Sequence, residues 1–118
     1  MAKGALFVGW GVIIPGREEA APQVLNEAVQ WLVRLQQEGR IDGFEAVTLE
    51  PHGGDLAGFV LVEGNRESLA SLRGEDEFLR TMVRVQLVHS KVGVGSAYTG
   101  AEMQSLFALW DREEATLI

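Results

Sequence analysis

The sequence has no cysteine among its 118 residues and only two histidines. Without cysteine, the chain offers no disulfide framework, thiolate nucleophile, iron–sulfur cluster or cysteine-type zinc site. Basic residues are also few: ten Lys and Arg stand against seventeen Asp and Glu, a formal net charge of −7. Nucleic-acid-binding surfaces are normally basic, so this balance argues against a nucleic-acid partner.

Long apolar runs are missing as well. No segment approaches the roughly 20 residues needed to cross a bilayer, so no membrane partner is expected. The apolar residues 5–14 faintly resemble a secretory signal, but glycines interrupt them and Pro15-Gly16 closes them, which favours a buried strand. We therefore expect a soluble, cytoplasmic protein.

What the sequence does contain is enough apolar material for a packed core. Hydrophobic residues make up 47% and charged residues 23%, which predicts one domain over residues 1–118. Apolar runs bounded by turn residues predict four strands. These cover residues 5–14, 43–50 and 56–63, with a fourth strand somewhere within 85–97.

Helical periodicity fills the segments between these strands. A long amphipathic helix is predicted over residues 17–38, with Pro22 in its first turn and Gly39 as its C-cap. A second helical region begins at the N-cap Asn65 and breaks at Gly74. The acidic run 75–77 then forms the first turn of the helix that resumes.

The C-terminal segment, residues 99–118, is predicted to hold one more helix. Thr99 and Glu102 match the capping-box pattern, with the helix running over about residues 100–114. Apolar side chains recur behind this cap at helical spacing, which indicates that the helix docks on an apolar surface. They are Met103, Leu106, Phe107 and Trp110.

The order of elements is β-α-β-β-α-β followed by a helix, which predicts a ferredoxin-like α+β fold with a four-stranded antiparallel sheet. A monomer of this design leaves one sheet face in water, and that face should then be polar. The third strand instead carries Val60 and Val62 on one face and Phe59 and Leu61 on the other. We expect a homodimer in which two sheets pack face to face, and the last helix closes an edge or an end. The alternative is that the last helix covers the second face within one chain.

This layout resembles the dimeric α+β barrel superfamily, because the element order, the strands apolar on both faces and the trailing helix all agree. The superfamily includes antibiotic-biosynthesis-type monooxygenases, muconolactone isomerases and haem-binding relatives of chlorite dismutase. The resemblance spans nearly the whole chain and implies the dimeric barrel. No catalytic motif accompanies it, so no functional residue is carried over from the family.

Three residues are candidates for a functional site. His89, in or beside the fourth strand, could act as a general base or ligate haem or another metal; the alternative is a strand histidine bonded to a neighbour. Trp10 lies between Gly9 and Gly11, which suggests a small cavity or a close backbone approach beside the indole. Tyr98 could donate its phenolic O–H to a ligand.

Other residues suggest less. His52 could form a small metal site with Asp55 or Glu50, but no known spacing is matched and a solvated turn histidine is the alternative, so no metal site is predicted. Trp31 and Trp110 lie on apolar helix stripes and are predicted to be core residues.

The leading functional hypothesis is a homodimer that binds a small apolar or aromatic molecule between sheet and helices. Its pocket would lie near Trp10, with His89 and Tyr98 as polar groups. One alternative is a cofactor-independent monooxygenase or an isomerase of the same superfamily, with His89 accepting a proton. Another is a structural or regulatory partner protein. No cofactor is expected, and a haem-binding variant is a weaker alternative.

Overall fold

A computed structural model describes residues 2–117. Its sheet is antiparallel throughout, in the order β2-β3-β1-β4. The strands are β1 (Lys3–Trp10), β2 (Gly43–Thr48), β3 (Gly58–Asn65) and β4 (Gly93–Ala97). The helices are α1 (Ala20–Gln37), α2 (Arg66–Arg73), α3 (Asp76–Val88) and α4 (Gly100–Glu114). This is the ferredoxin-like α+β fold that the element order predicts.

The core lies between one face of the sheet, here the inner face, and the helices α1, α2 and α3. Alternate residues of β1 point to this face, and Leu6, Val8 and Trp10 are all buried there. Opposite them on β3 lie Val62 and Val60, in the register Leu6↔Val62 and Val8↔Val60. Burying this stripe is what fixes the register of the two central strands, since a shift by one residue would turn it to the other face.

Helix α1 supplies the largest part of the cover. Its buried residues recur at helical spacing, with Val24, Trp31 and Leu35 among them. The helix begins at Ala20 rather than at residue 17, because the chain first turns at Arg17, whose N–H donates to the carbonyl of Ile14 at 2.9 Å. It ends at Gln37 with Glu38 as its C-cap, one residue before the predicted C-cap Gly39. Gly39 follows with φ 73°, a conformation that favours glycine.

The first strand ends four residues earlier than the apolar run does. After Trp10 the chain leaves the sheet and bonds to the segment that connects α3 with β4. The N–H of Gly11 donates to the carbonyl of Ser90 at 2.7 Å, and that of Ile14 donates to Val88 at 2.8 Å. Residues 11–14 are therefore apolar without belonging to the sheet: the chain bends at Val12, and Ile13 forms only an isolated bridge with His89. The prediction of one strand over 5–14 is wrong at that end.

The remaining strands and helix junctions follow the predictions with shifted bounds. Strands β2 and β3 form the expected antiparallel pair, but a connection of nine residues separates them. The side-chain oxygen of Asn65 accepts from the N–H groups of Glu67 and Ser68 at 3.0 and 3.2 Å, which confirms the N-cap. Gly74 separates α2 from α3 as predicted, and Glu75 is the N-cap of α3.

Helix α4 is where the single chain departs most from expectation. No residue of α4 is buried in the part of the chain that the structure describes, and 58% of Trp110 is exposed, so the assignment of Trp110 to the core is wrong for one chain. Thr99 is the N-cap, but its side chain makes no capping hydrogen bond, so the capping box does not form. Residue 118 of the predicted C-terminal segment lies outside the described residues.

The second face of the sheet, here the outer face, carries the predicted apolar residues and also the exposed Glu45 and Glu63. Phe7 of β1 and Phe59 of β3 stack with ring centroids 5.6 Å apart, and both are only partly buried. Leu61 and Val47 lie on the same face, since Phe7 pairs with Leu61 and Val47 with Phe59. Because α4 buries none of its own residues, it does not act as a cover for this face within one chain.

Candidate functional site

A small cavity of about 40 Å³ lies inside the core, between the inner face of the sheet and the helices α1 and α3. Its walls are apolar side chains apart from Thr81 and the imidazole of His89. Trp10 closes one side of it, and Trp31 and Met82 lie on the helical side. The cavity therefore brings together two of the three site residues that the sequence suggested, Trp10 and His89.

Trp10 is held in this position by a glycine on the neighbouring strand. Its cross-strand partner is Gly58, and a Cβ atom added there would lie 2.8 Å from Cζ2 of the indole. The indole thus packs directly on the backbone of β3, and it is 6% exposed. The pairing becomes visible only once the register is known, so no sequence pattern pointed to Gly58.

The glycines beside Trp10 serve a different purpose from making a cavity. A Cβ added at Gly11 would lie 2.8 Å from Oγ of Ser90 and 2.9 Å from its carbonyl oxygen. A Cβ at Gly9 would lie 2.5 Å from the ring of Phe7. Of the two predicted explanations, the close backbone approach is thus the correct one for Gly11.

His89 is the C-cap residue of α3 and lies outside β4, so its predicted place in or beside the fourth strand needs correction. It forms an isolated β-bridge with Ile13, and its Nδ1 lies 2.9 Å from the carbonyl oxygen of Gly11. A carbonyl only accepts, so Nδ1 carries the proton and donates it. In the neutral ring this leaves Nε2 as the nitrogen that can accept a proton.

The ring of His89 also contacts the indole. The centroids of the His89 and Trp10 rings are 5.9 Å apart with 48° between their planes. The hydrogen bond to Gly11 and this contact together fix the imidazole at the cavity wall. The arrangement places an imidazole at the wall of a cavity whose lining is almost wholly apolar, which suits binding of a small aromatic molecule.

Tyr98 lies elsewhere, so the prediction that it shares the pocket of Trp10 is wrong. It borders a separate hollow of about 110 Å³ between α2 and the strands β1 and β4. Arg66 and Arg73 line the same hollow, and the guanidinium of Arg66 lies 5.7 Å from the centre of the Tyr98 ring. β4 carries Tyr98 out past the edge of the core, where 40% of it is exposed.

His52 and Asp55, which were considered for a metal site, bond to different partners. Nε2 of His52 lies 2.6 Å from the carbonyl oxygen of Leu56. Asp55 pairs with Lys91 at 2.8 Å, and the hydrogen bond from Lys91, with its positive charge, lowers the pKa of the Asp55 carboxyl. Among residues 2–117, no three His, Asp or Glu side chains are grouped so that they could hold a metal ion.

A polar groove of about 380 Å³ runs along the surface between α1 and α3, here the α1–α3 groove. Two ion pairs cross it. Arg84 donates to both carboxylate oxygens of Glu27 at 2.8 and 3.0 Å, and Arg34 donates to Glu77 at 3.1 Å. The partners of the two ion pairs are 57 and 43 residues apart in sequence, so no spacing motif predicts the pairs.

The fold defined by these elements is the ferredoxin-like α+β fold, and the solved structures that match the chain share it. Similar solved structures include a dimeric ferredoxin-like protein of unknown function from Bacteroides fragilis. It is 12% identical, with a TM-score of 0.59, and the match covers 80% of this chain and 94% of that one.

Two further structures bear names that describe an activity. A putative antibiotic biosynthesis monooxygenase from Bacteroides thetaiotaomicron is 15% identical with a TM-score of 0.59, covering 82% of this chain and 89% of that one. SnoaB, a cofactor-independent oxygenase from Streptomyces nogalater, is 14% identical with a TM-score of 0.53, covering 85% and 98%. At these identities the likeness shows the fold alone.

No protein-family model matches the chain, and no curated protein sequence matches it. Within residues 2–117, every helix is too short or too polar to span a membrane.

Proposed function

We propose that this protein is a cytoplasmic homodimer that binds a small apolar or aromatic molecule in the cavity beside Trp10. The observation that carries the proposal is the presence of Trp10 and His89 on one apolar cavity, with the His89 ring held by Gly11 at 2.9 Å.

The cavity must widen to admit an aromatic ring. Its volume of about 40 Å³ is well below the roughly 150 Å³ of an engineered cavity that binds benzene. Two of the lining side chains, Leu25 and Met82, are only partly buried and sit on facing helices. Met is a flexible side chain that readily repacks, so movement of Met82 can enlarge the cavity at this point.

The homodimer follows from two unpaired apolar surfaces. One is the outer face of the sheet, with its Phe7–Phe59 stack, and the other is the stripe on α4 that contains Phe107 and Trp110. Exposed apolar surfaces of this extent mark association sites. A second copy that packs sheet against sheet, and receives α4 along its edge, buries both. The similar structure from Bacteroides fragilis is described as dimeric, which supports a dimer.

Binding is tested by equilibrium dialysis with 2-naphthamide, a neutral aromatic probe. Ala28 lines the cavity, so Ala28→Leu fills part of the space and should weaken binding at least about tenfold. The matched control is Ala70→Leu, which narrows the separate Tyr98 hollow and should leave binding unchanged. Failure of the probe to bind, or loss of binding in Ala70→Leu alone, contradicts the proposal.

A second candidate is a cofactor-independent oxygenase, favoured by the imidazole of His89 at the cavity wall and by the structural likeness to SnoaB. His89 would then accept a proton from the aromatic substrate. The test is oxygen uptake in the presence of dithranol, an aromatic ketone with an acidic methylene group. The oxygenase candidate predicts uptake that His89→Ala abolishes, while 2-naphthamide still binds to the variant. Uptake that persists in His89→Ala contradicts it.

A further inference from the structure

The α1–α3 groove lies directly over the cavity of Trp10. The two share four lining residues, so the floor of the groove is also the outer wall of the cavity. The shared residues are Val24, Ala28, Trp31 and Thr81. A molecule that settles in the groove is therefore one side-chain layer away from the cavity.

Two ion pairs span the groove above this floor. The ion pairs Arg84–Glu27 and Arg34–Glu77 join the two helices across the groove, but their side chains are 43–54% exposed. Exposed pairs of this kind contribute about 1 kcal/mol or less each. The ion pairs therefore oppose entry from the groove only weakly, and the floor itself is the barrier. Trp31 is buried in this floor and packs against Phe78 with ring centroids 6.0 Å apart, so a ligand that enters from the groove must displace these side chains.

The charges in the groove are not balanced. Three arginines and two glutamates line it, and the two ion pairs use both glutamates. The third arginine, Arg80, is exposed and has no ion-pair partner among residues 2–117. The groove thus carries one excess positive charge in a chain whose formal net charge is −7.

We propose, building on the function proposed above, that the ligand is an amphiphilic anion: an apolar, aromatic body with one carboxylate at its end. The body passes between α1 and α3 into the cavity, and the carboxylate stays in the groove on Arg80. A guanidinium suits this task because it is always charged and its planar fork binds both oxygens of a carboxylate. Arg80 is then a specificity-determining residue that touches the ligand and takes no part in any reaction.

The test compares two probes of nearly equal shape, 2-naphthoate and 2-naphthamide, by equilibrium dialysis against the intact protein. The wild-type protein should bind the naphthoate about tenfold more tightly. Arg80→Gln should remove this preference and leave naphthamide binding within about twofold, whereas Arg80→Lys, which keeps the charge, should retain part of it. The matched control is Arg73→Gln, which removes an exposed arginine from the Tyr98 hollow and should change neither affinity.

The outcomes separate the two proposals. Equal binding of both probes to the wild-type protein, or equal weakening of both by Arg80→Gln, overturns the selectivity for an anion and leaves the cavity as a ligand site. If Arg73→Gln removes the preference for the naphthoate, the carboxylate binds in the Tyr98 hollow, and the proposal is overturned as well. Absence of binding of either probe contradicts the cavity as a ligand site, and the role of Arg80 with it.

Discussion

Replacing Gly11 by alanine tests how tightly the end of β1 is locked to His89. The added Cβ would lie below 3.0 Å from two atoms of Ser90, one of them the backbone carbonyl oxygen, so a side-chain rotation cannot relieve the clash. Overpacking of this kind costs about 1–3 kcal/mol. The displacement also strains the hydrogen bond from Gly11 to Ser90 and the one from His89 to Gly11, each contributing about 0.5–1.5 kcal/mol. We expect a loss of about 2–3 kcal/mol.

The assay is thermal and urea unfolding at one fixed protein concentration, since association shifts apparent stability. A loss of 2–3 kcal/mol lowers the melting temperature of a chain this size by roughly 8–12 °C. The matched control is Gly74→Ala, where the new Cβ meets Ser71 at an ordinary 3.5 Å and the change should be within about 0.5 kcal/mol. If Gly11→Ala is as stable as this control, Ser90 does not pack as closely against Gly11 as the structure indicates.

Three further predictions concern other parts of the molecule. Trp110→Ala should raise the dimer dissociation constant at least about tenfold in sedimentation equilibrium, because the Trp110 side chain is exposed in one chain and available to a partner. An unchanged dissociation constant contradicts a role for α4 in the dimer. Lys91→Gln should raise the pKa of Asp55 in a carboxyl NMR titration. Lys91 lowers that pKa in the folded chain, so the pair stabilises the fold above the ordinary pKa of Asp and ceases to as pH falls through the folded value; an unshifted titration refutes the pairing. Added haemin should show no shift of its Soret band, since a cavity of about 40 Å³ is far too small for a porphyrin. A shifted band would support the haem-binding alternative.

The architecture could be predicted from sequence because it depends on local and periodic signals. The alternation in β3 sets two apolar faces, Asn65 and Gly74 delimit α2, and Gly39 ends α1. The end of β1 could not be predicted in the same way. Residues 11–14 are as apolar as a strand, and only their tertiary bonds to residues 88–90 remove them from the sheet.

The site was predictable only in part for a related reason. Trp10 and His89 are rare residue types in this chain, so each could be singled out alone, but their contact depends on the return of the chain after α3. Tyr98 could not be assigned to its hollow, because the direction in which β4 leaves the core is not encoded in a spacing. The pairing of Trp10 with Gly58 and the ion pairs across the α1–α3 groove arise from tertiary packing between distant segments.

The measurement that bears most directly on the whole account is the mass of the particle in solution, by light scattering coupled to size-exclusion chromatography over a range of dilutions. The proposed homodimer covers the apolar patch on the outer face of the sheet and the helix α4, which buries none of its residues within the described chain. The predicted mass is twice that of the chain, which is 12.9 kDa. A stable species of 12.9 kDa, with α4 of the same chain packed over Phe7 and Phe59, would contradict it.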